Sequence, residues 1–598
     1  MIPYAAPVKD MRFVLANVVG FDRIAALPGY EAAAPDLVDA ALDEAAKLAA
    51  EVVAPLNRIG DIQGSVLENG VVRTPDGFRD AYRRYVDGGW NSVPFEPDYG
   101  GQGLPWVLAT AFHEMWQSAC MSFSLCPLLN LGAVELLTAH GSEEQKLAYL
   151  PKMISGEWTG TMNLTEPQAG SDLAQIRARA ERASDGTYRI FGQKIYISFG
   201  EHDLTDNIVH LVLARLPDAP AGVKGISLFV VPKLLLDGEG RPGARNDLRC
   251  VSLEHKLGIN ASPTAVMAYG DSGGAVGYLV GEENRGLEYM FTMMNNARLN
   301  VGLQGVSIAE RAYQQARDYA RGRVQSKDLA EPKGGPVPII RHPDVRRMLL
   351  SMRSRAEAGR TLSYYALACL DVSKRAVDAE SRRAAQSRVD LLTPVVKAWC
   401  TDMGVEVAST GVQVHGGMGF IEETGAAQYY RDARISPIYE GTNGIQSNDL
   451  VFRKVARDEG AAARALMAEM RGTLDALRAR PGDDAAAIAD RLEAALATLD
   501  AATGWVAATA GPDPRAAAAG AVPYARLFGT VSAAWLMARS ALAAQDALRV
   551  PAADHAFLDA KIASARFFCE HHLPEVEGLL ATVRDGWRTV LAFPEESF

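Results

Sequence analysis

A multidomain α+β fold is predicted: an N-terminal helical domain, a central antiparallel β domain, a helical bundle and an additional helical domain behind it. Three observations predict it. Apolar residues recur at three- and four-residue spacing through residues 35–157, and again from Leu287 onward. Between these stretches, residues 158–283 alternate with a period of two and are cut by Gly, Pro and Asp. No long helical run separates those strands, so the sheet is expected to be antiparallel and not built from βαβ units. Beyond about residue 455 the chain turns Ala-rich with helical periodicity. At 598 residues it is too long for one core. The expected boundaries are 1–34 (an arm), 35–157, 158–283, 284–453 and 454–598.

The arm opens with Pro3 and Pro7, which exclude an early helix, and then shows an apolar patch, Met11 to Leu15, with nothing local to bury it. Such a patch docks on the protein's own core or on a partner subunit. Pro35 suits the first turn of a helix whose apolar stripe runs through Leu37, Val38, Ala41, Leu42, Ala45 and Leu48. Residues 93–103 are a Pro/Gly loop. Ser142 and Gln145 fit a capping box that opens a helix after His140-Gly141. Strands are expected at Tyr188–Gly192, Lys194–Ser198, Ile208–Arg215, Ile226–Pro232 and Thr264–Tyr269. A long helix carries Leu392, Val395, Val396, Trp399, Met403 and Val407 on one face and ends at His415-Gly416-Gly417. Pro481-Gly482 and residues 511–514 break the Ala-rich tail, where Trp505 and Trp535 supply packing.

Composition excludes several classes. With 48% hydrophobic and 22% charged residues the chain is an ordinary globular protein, and its net charge of −11 gives no basic footprint for nucleic acid. Six scattered cysteines without a CxxC pair read as reduced thiols of a cytoplasmic protein. Met1 to Asp10 resembles neither a signal nor a transit peptide, and no membrane span is expected. The nearest uninterrupted apolar run, Phe528 to Ala538, stops at Arg539. There is no G-x-G-x-x-G after an early strand and no Walker lysine loop. His113-Glu114 lacks the second histidine of a zinc protease, and no metal site is expected. His415-Gly416-Gly417 has no G-x-S-x-G elbow to make it a hydrolase oxyanion loop.

Two stretches can carry chemistry. Met162-Asn163-Leu164-Thr165-Glu166-Pro167-Gln168-Ala169-Gly170-Ser171-Asp172 leaves a strand and gathers backbone amides and hydroxyls on a constrained path, suited to a polar planar group or a phosphate. Taken alone it is more often a structural turn, with Ser171 a helix N-cap. Arg434 to Gln446 holds one carboxylate, Glu440, between Pro437 and the glycines 441 and 444. Taken alone, that is a loop with a solvated Glu.

Together with two further motifs these stretches resemble the acyl-CoA dehydrogenase family. Thr165-Glu166-Pro167 with Ala169-Gly170-Ser171-Asp172 looks like its flavin loop, and Lys194 to Gly200 like the strand that covers the flavin ring. Gln413-Val414-His415-Gly416-Gly417-Met418-Gly419 resembles the glycine turn that holds the FAD pyrophosphate of the neighbouring subunit, and Tyr439-Glu440-Gly441-Thr442 the catalytic loop. The likeness covers roughly residues 35 to 450, and the arm and tail resemble a large subgroup that includes 3-methylmercaptopropionyl-CoA dehydrogenases. Two departures stand out. Tyr196 replaces the frequent Trp, which keeps a stacking ring. Arg323-Val324-Gln325-Ser326-Lys327 keeps the phosphate Arg of an Arg-x-x-Phe-Gly motif but has Ser326 for its Phe.

The resemblance implies FAD-dependent α,β-dehydrogenation of an acyl-CoA thioester. Glu440 would be the base, since the alternative seat on the long helix is here Ala297. Leu164, Thr165 and Ser198 would contact the flavin beside Tyr196. Ser171 would reach the phosphate region of FAD or CoA, and Arg298 the CoA. Tyr439 and Gly441 would set the reach of Glu440 toward the substrate. Arg323, Gln413, Gly416 and Gly417 would serve the partner's FAD, and Thr442 its pyrophosphate. The implied partners are an electron-transferring flavoprotein and a second copy, as a homodimer. Two alternatives are an acyl-CoA oxidase using oxygen and a DNA-binding flavoprotein relative; the latter wants a basic tail, whereas this tail interleaves Arg with Asp and Glu.

Overall fold

The computed structural model describes residues 3–598; residues 1 and 2 of the expected arm lie outside the described residues. The chain divides into two compact units. One gathers residues 1–43, 105–114 and 298–598, the other residues 44–104 and 115–297.

The second unit combines helices with one eight-stranded sheet. Its strands are β1 (Trp158–Asn163), β2 (Arg179–Arg182), β3 (Tyr188–Ser198), β4 (Asn207–Arg215), β5 (Ile226–Pro232), β6 (Leu248–Leu253), β7 (Thr264–Tyr269) and β8 (Ala275–Leu279). They lie in the order β6-β7-β3-β8-β5-β4-β1, with β2 against β3 and β4. Most pairs are antiparallel, as expected from the absence of crossover helices. Two pairings on β4 are parallel: a single one with β2 at Arg179↔Arg215, and the edge, where β1 runs beside it in the register Trp158↔Asn207 to Asn163↔Val212. A parallel pair needs a long crossover, and here the flavin-loop-like stretch and the β2–β3 hairpin supply it. Ile190, Val212, Phe229, Val231 and Met267 form the sheet's core.

The Met121–His140 helix backs β1. Asn130, fully buried, accepts from Gly160 N at 2.9 Å and donates to Met153 O at 2.8 Å, tying strand to helix. The capping box forms as expected: Ser142 Oγ accepts from Gln145 N at 3.2 Å, and Gln145 Oε1 accepts from Ser142 N at 3.1 Å.

The first unit is helical. The helices Pro343–Arg375 and Ala379–His415 form a hairpin over a three-residue connection, and the Arg298–Gly322 part of a longer helix packs with them. The expected face of the Ala379–His415 helix is buried from Leu392 to Val407. The tail helices Ala461–Arg478, Asp483–Thr509, Ala521–Ala547 and His555–His571 pack on this bundle. At the seam, a Cβ on Gly529 would stand 2.4 Å from the Trp399 ring, so only glycine fits. The indole N–H of Trp399 donates to Thr530 Oγ1 at 3.1 Å. By length and composition Met121–His140 and Ala521–Ala547 could each cross a membrane, but their apolar windows are 89% and 83% buried in protein. Each is a core helix within its own unit.

The arm becomes helical directly after Pro7, as Val8–Phe13, and buries Met11, Val14 and Leu15 on the protein's own bundle and tail. Asp10 anchors it, accepting from Arg360 Nη1 at 2.6 Å and Lys561 Nζ at 2.7 Å. Arg360 also meets Glu114 at 2.6 Å and Glu310 at 2.9 Å.

Candidate active site

In the second unit, β1 is buried along its length and then releases the chain into a loop with half-buried Leu164 and Thr165. Glu166 and Ala169 close a tight turn through paired backbone bonds of 3.0 and 2.9 Å. Glu166 is buried and accepts from Lys194 Nζ at 2.8 Å, Arg177 N at 2.6 Å and Ala178 N at 3.0 Å. Burial alone would raise its pKa; Lys194 and the two amides overcome that and hold it below the usual carboxylate value. Lys194 is fully buried, which pulls its pKa down to about 8, and it also donates to Leu164 O at 2.9 Å.

Ile195 N donates to Thr165 O at 2.9 Å, so the loop is stitched to the strand that carries Tyr196 and Ser198. Tyr196 sits at φ 60 and is 60% exposed. A bulky residue rarely adopts that conformation unless its surroundings impose it. The strand thus presents an uncovered aromatic ring beside half-buried Thr165 and Ser198, a platform matching one face of a planar ring system. Ser171 is exposed and does not cap the following turn. Asp172 caps it instead, accepting from Ala174 N at 2.9 Å.

In the first unit, the loop after the Ala426–Ala433 helix turns sharply, with Ile438 N donating to Ile435 O at 2.8 Å and Asn443 N to Pro437 O at 2.9 Å. Glu440 and Gly441 are both left-handed, at φ 58 and 82. A Cβ on Gly441 would lie 2.6 Å from Gln446 Nε2. Thr442 is the N-cap of the Asn443–Asn448 helix, its hydroxyl accepting from Ile445 N at 3.2 Å. The Tyr439 hydroxyl donates to Gln304 Oε1.

Electrostatics single out Glu440. Desolvation lifts its pKa to about 7, against the pull of Arg298 and Lys397. Arg298 is buried, and burial depresses its own pKa while Asp449 and Glu440 hold it up. Burial likewise brings Lys397 down to about 7. A carboxylate poised near neutrality beside two buried cations can take up and release a proton at working pH.

The remaining expected residues collect elsewhere on the first unit. The rings of Tyr319 and His415 stack at 4.4 Å, joining two helix ends. Arg323 follows one turn after Tyr319, and Gln413, Gly416 and Gly417 flank His415; all four are exposed. From Lys397 to Gln413 is sixteen residues of continuous helix, roughly 24 Å. This group is therefore remote from Glu440 along the helix.

The sequence reading passed over Glu166 and Lys194 as a pair, and over Gln304, Lys397, Asn443 and Gln446. One signal for Lys397 was visible: it falls within the apolar face between Val396 and Trp399, where a lysine must be buried and paired.

Comparison with known proteins agrees along the whole chain. Residues 38–157, 161–271 and 284–454 match, in turn, the acyl-CoA dehydrogenase N-terminal, middle and C-terminal domains, and residues 466–594 match an acetyl-CoA dehydrogenase C-terminal-like domain. A protein of Ruegeria pomeroyi named 3-methylmercaptopropionyl-CoA dehydrogenase is 52% identical over 97% of this chain and 98% of its own. A butyryl-CoA dehydrogenase of Syntrophomonas wolfei is 34% identical over 100% and 99%. In fold, the chain is similar to Caenorhabditis elegans ACDH-11 in complex with C11-CoA, at a TM-score of 0.75 and 21% identity, over 98% of this chain and 96% of that one. The loop stitched to the Tyr196 strand, the desolvated Glu440 and the end-to-end identity with these relatives converge on one conclusion: this chain belongs to the acyl-CoA dehydrogenase family and is an oxidoreductase of that class.

Proposed function

We propose that the chain oxidises an acyl-CoA at Cα–Cβ to the trans-2-enoyl-CoA with FAD as its cofactor, Glu440 being the base. What carries this is the Glu440 carboxylate on its left-handed turn, lifted by desolvation to about 7 against the pull of Arg298 and Lys397. The exposed Tyr196 ring and the Thr165–Ser198 edge fit the flavin, with Leu164 and Ser171 on the same loop. When bound, FAD would supply the acceptor for the hydride leaving Cβ. Glu440 removes the α-proton, and its backbone N–H donates to the thioester oxygen where negative charge develops. Such a donor is worth about 3–4 kcal/mol in comparable sites. Tyr439, tied to Gln304, and Gly441 set the approach of the carboxylate, and buried Arg298 orients the CoA side.

The substrate we assign is 3-methylthiopropionyl-CoA, because the relative bearing the corresponding name is 52% identical over nearly the whole chain. The acceptor we assign is an electron-transferring flavoprotein and not oxygen, in line with the relatives named dehydrogenases. A homodimer accounts for the exposed group of Arg323, Gln413, Gly416 and Gly417. It lies too far along the helix from the Thr442 loop to serve the same end of one cofactor, and a second copy gives it a partner FAD to hold. Free cysteines suit a cytoplasmic, reducing setting.

Anaerobic titration of the holoenzyme tests the reading. 3-Methylthiopropionyl-CoA is expected to bleach the flavin fastest within a panel of straight-chain thioesters, and Glu440→Gln to stay yellow. Normal turnover by that variant removes Glu440 from the reaction, and a faster straight chain removes the substrate assignment.

A further inference from the structure

Lys397 is the one cation inside the apolar face that the Ala379–His415 helix turns toward its neighbours between Leu392 and Val407. Its side chain has no exposed surface, and Nζ donates to Asn443 Oδ1 at 2.8 Å. Asn443 follows Glu440 by three residues. On its other side Asn443 Nδ2 donates to Asp402 Oδ1 at 2.7 Å and to Ala398 O at 3.1 Å. Its backbone N–H closes the loop onto Pro437 O at 2.9 Å. The amide is therefore read from both ends: an ammonium has only donors, so it selects the amide oxygen, and an ionised Asp has only acceptors, so it selects the nitrogen. The result is a clamp in which two charges of one helix fix a side chain of the loop that carries Glu440.

Charge points the same way as geometry. Glu440 faces Arg298 from the helix that ends at Gly322 and Lys397 from this one, with the Tyr439 hydroxyl turned to Gln304. Lys397 faces Glu440, Asp402 and Arg298, and Arg298 in turn faces Asp449 and Arg453. A buried ammonium is costly unless paired, and an amide oxygen alone is a weak partner. The carboxylates of Glu440 and Asp402 supply the rest.

We propose that Lys397 is a positioning residue for proton abstraction: through Asn443 it holds the Glu440 loop in its left-handed turn, and its charge favours the ionised carboxylate. The proposal rests on Glu440 being the base. Two consequences separate its halves. Removing the cation raises the pKa of Glu440, whereas removing the amide loosens the loop and leaves the cation in place.

The experiment follows anaerobic flavin bleaching by butyryl-CoA against pH in holoenzyme carrying K397M, K397R or N443A, with FAD content and thermal melting as folding controls. K397M is expected to slow bleaching at least ~10-fold at neutral pH and to move the acid limb of the profile up by about one unit, the usual reach of a nearby opposite charge. K397R returns the limb toward its wild-type position. N443A slows bleaching with the limb unmoved. A wild-type rate and limb in K397M overturns the proposal, as does a limb in K397R displaced as far as in K397M, or one in N443A that moves with it. Should K397M not fold, K397R and N443A decide alone: a wild-type rate in N443A overturns the clamp. Normal turnover by Glu440→Gln would instead sink the base assignment, a result distinct from any of these.

Discussion

Lys194 Nζ lies 2.8 Å from Glu166 Oε1, and both side chains are almost wholly removed from water. The pair joins the loop after β1 to the strand bearing Tyr196, and Lys194 spends a further donor on Leu164 O. Removing one partner of a buried pair leaves the other charge uncompensated, at a cost of about 3–5 kcal/mol. Lys194→Met is therefore expected to lower the melting temperature and, more tellingly, to release the cofactor. Flavin fluorescence after gel filtration checks it. Glu166→Gln, which can still accept from Lys194, should retain more flavin than Lys194→Met.

A second prediction concerns the arm. Asp10 bridges Arg360 of the bundle and Lys561 of the tail. Burial would raise its pKa, but the two cations reverse this and hold it at about 2. A depressed carboxylate contributes stability above its unfolded pKa near 3.8, and that contribution is lost as pH falls through about 2. Asp10→Asn should thus destabilise the protein at neutral pH by about 3–5 kcal/mol and narrow its gap to wild type in strong acid. Melting curves at neutral pH and below pH 3 provide the comparison. Limited proteolysis at neutral pH is expected to free the arm first.

Much of this architecture could be read in the residues. The helix face from Leu392 to Val407 and the Ser142–Gln145 box depend on neighbours in sequence, where periodicity and capping rules operate. The parallel edge of the sheet was missed because strand direction there depends on how β1 meets β4 across more than forty residues. Glu440 stood out through the resemblance of Tyr439-Glu440-Gly441-Thr442 to a catalytic loop, but its two cations did not. Arg298 and Lys397 are nearly a hundred residues apart and meet the loop only in the folded bundle. Thr442, expected at the FAD pyrophosphate, is the N-cap of the next helix, a role its position before Asn443-Gly444 could have suggested.

Gly441 carries a third prediction. At φ 82, with Gln446 Nε2 in the space of a Cβ, alanine is doubly disfavoured. Gly441→Ala should fold and bind flavin, since the contact is with a flexible side chain. It should shift Glu440 by a fraction of an ångström and reduce kcat by roughly 10-fold, since a misplacement of ~1 Å costs about 10²-fold. Stopped-flow bleaching at saturating substrate would detect it. An unchanged rate would mean that the loop absorbs the methyl group elsewhere.

The last prediction follows from the sign of the Glu440 shift. Burial raises its folded-state pKa to about 7, above the ordinary carboxylate value of 4.5. The native protein therefore holds this proton more tightly than the unfolded chain does. The associated stability is fully present below the unfolded pKa and is lost as pH rises through about 7. Glutamine mimics the protonated acid at all pH values. Glu440→Gln should match wild type in melting temperature near pH 4, gain on it progressively toward pH 7, and hold a constant lead above. Catalysis runs oppositely, since only ionised Glu440 can accept the α-proton, so the wild-type bleaching rate should climb through pH 7 and level off where its stability deficit is complete. Parallel melting and bleaching curves of the same holoenzyme should show the stability lead of the glutamine variant bending to its plateau at the pH where the wild-type rate is half-maximal, about 7. A bend and a half-maximal rate separated by more than about one unit would mean that some other group limits the rate.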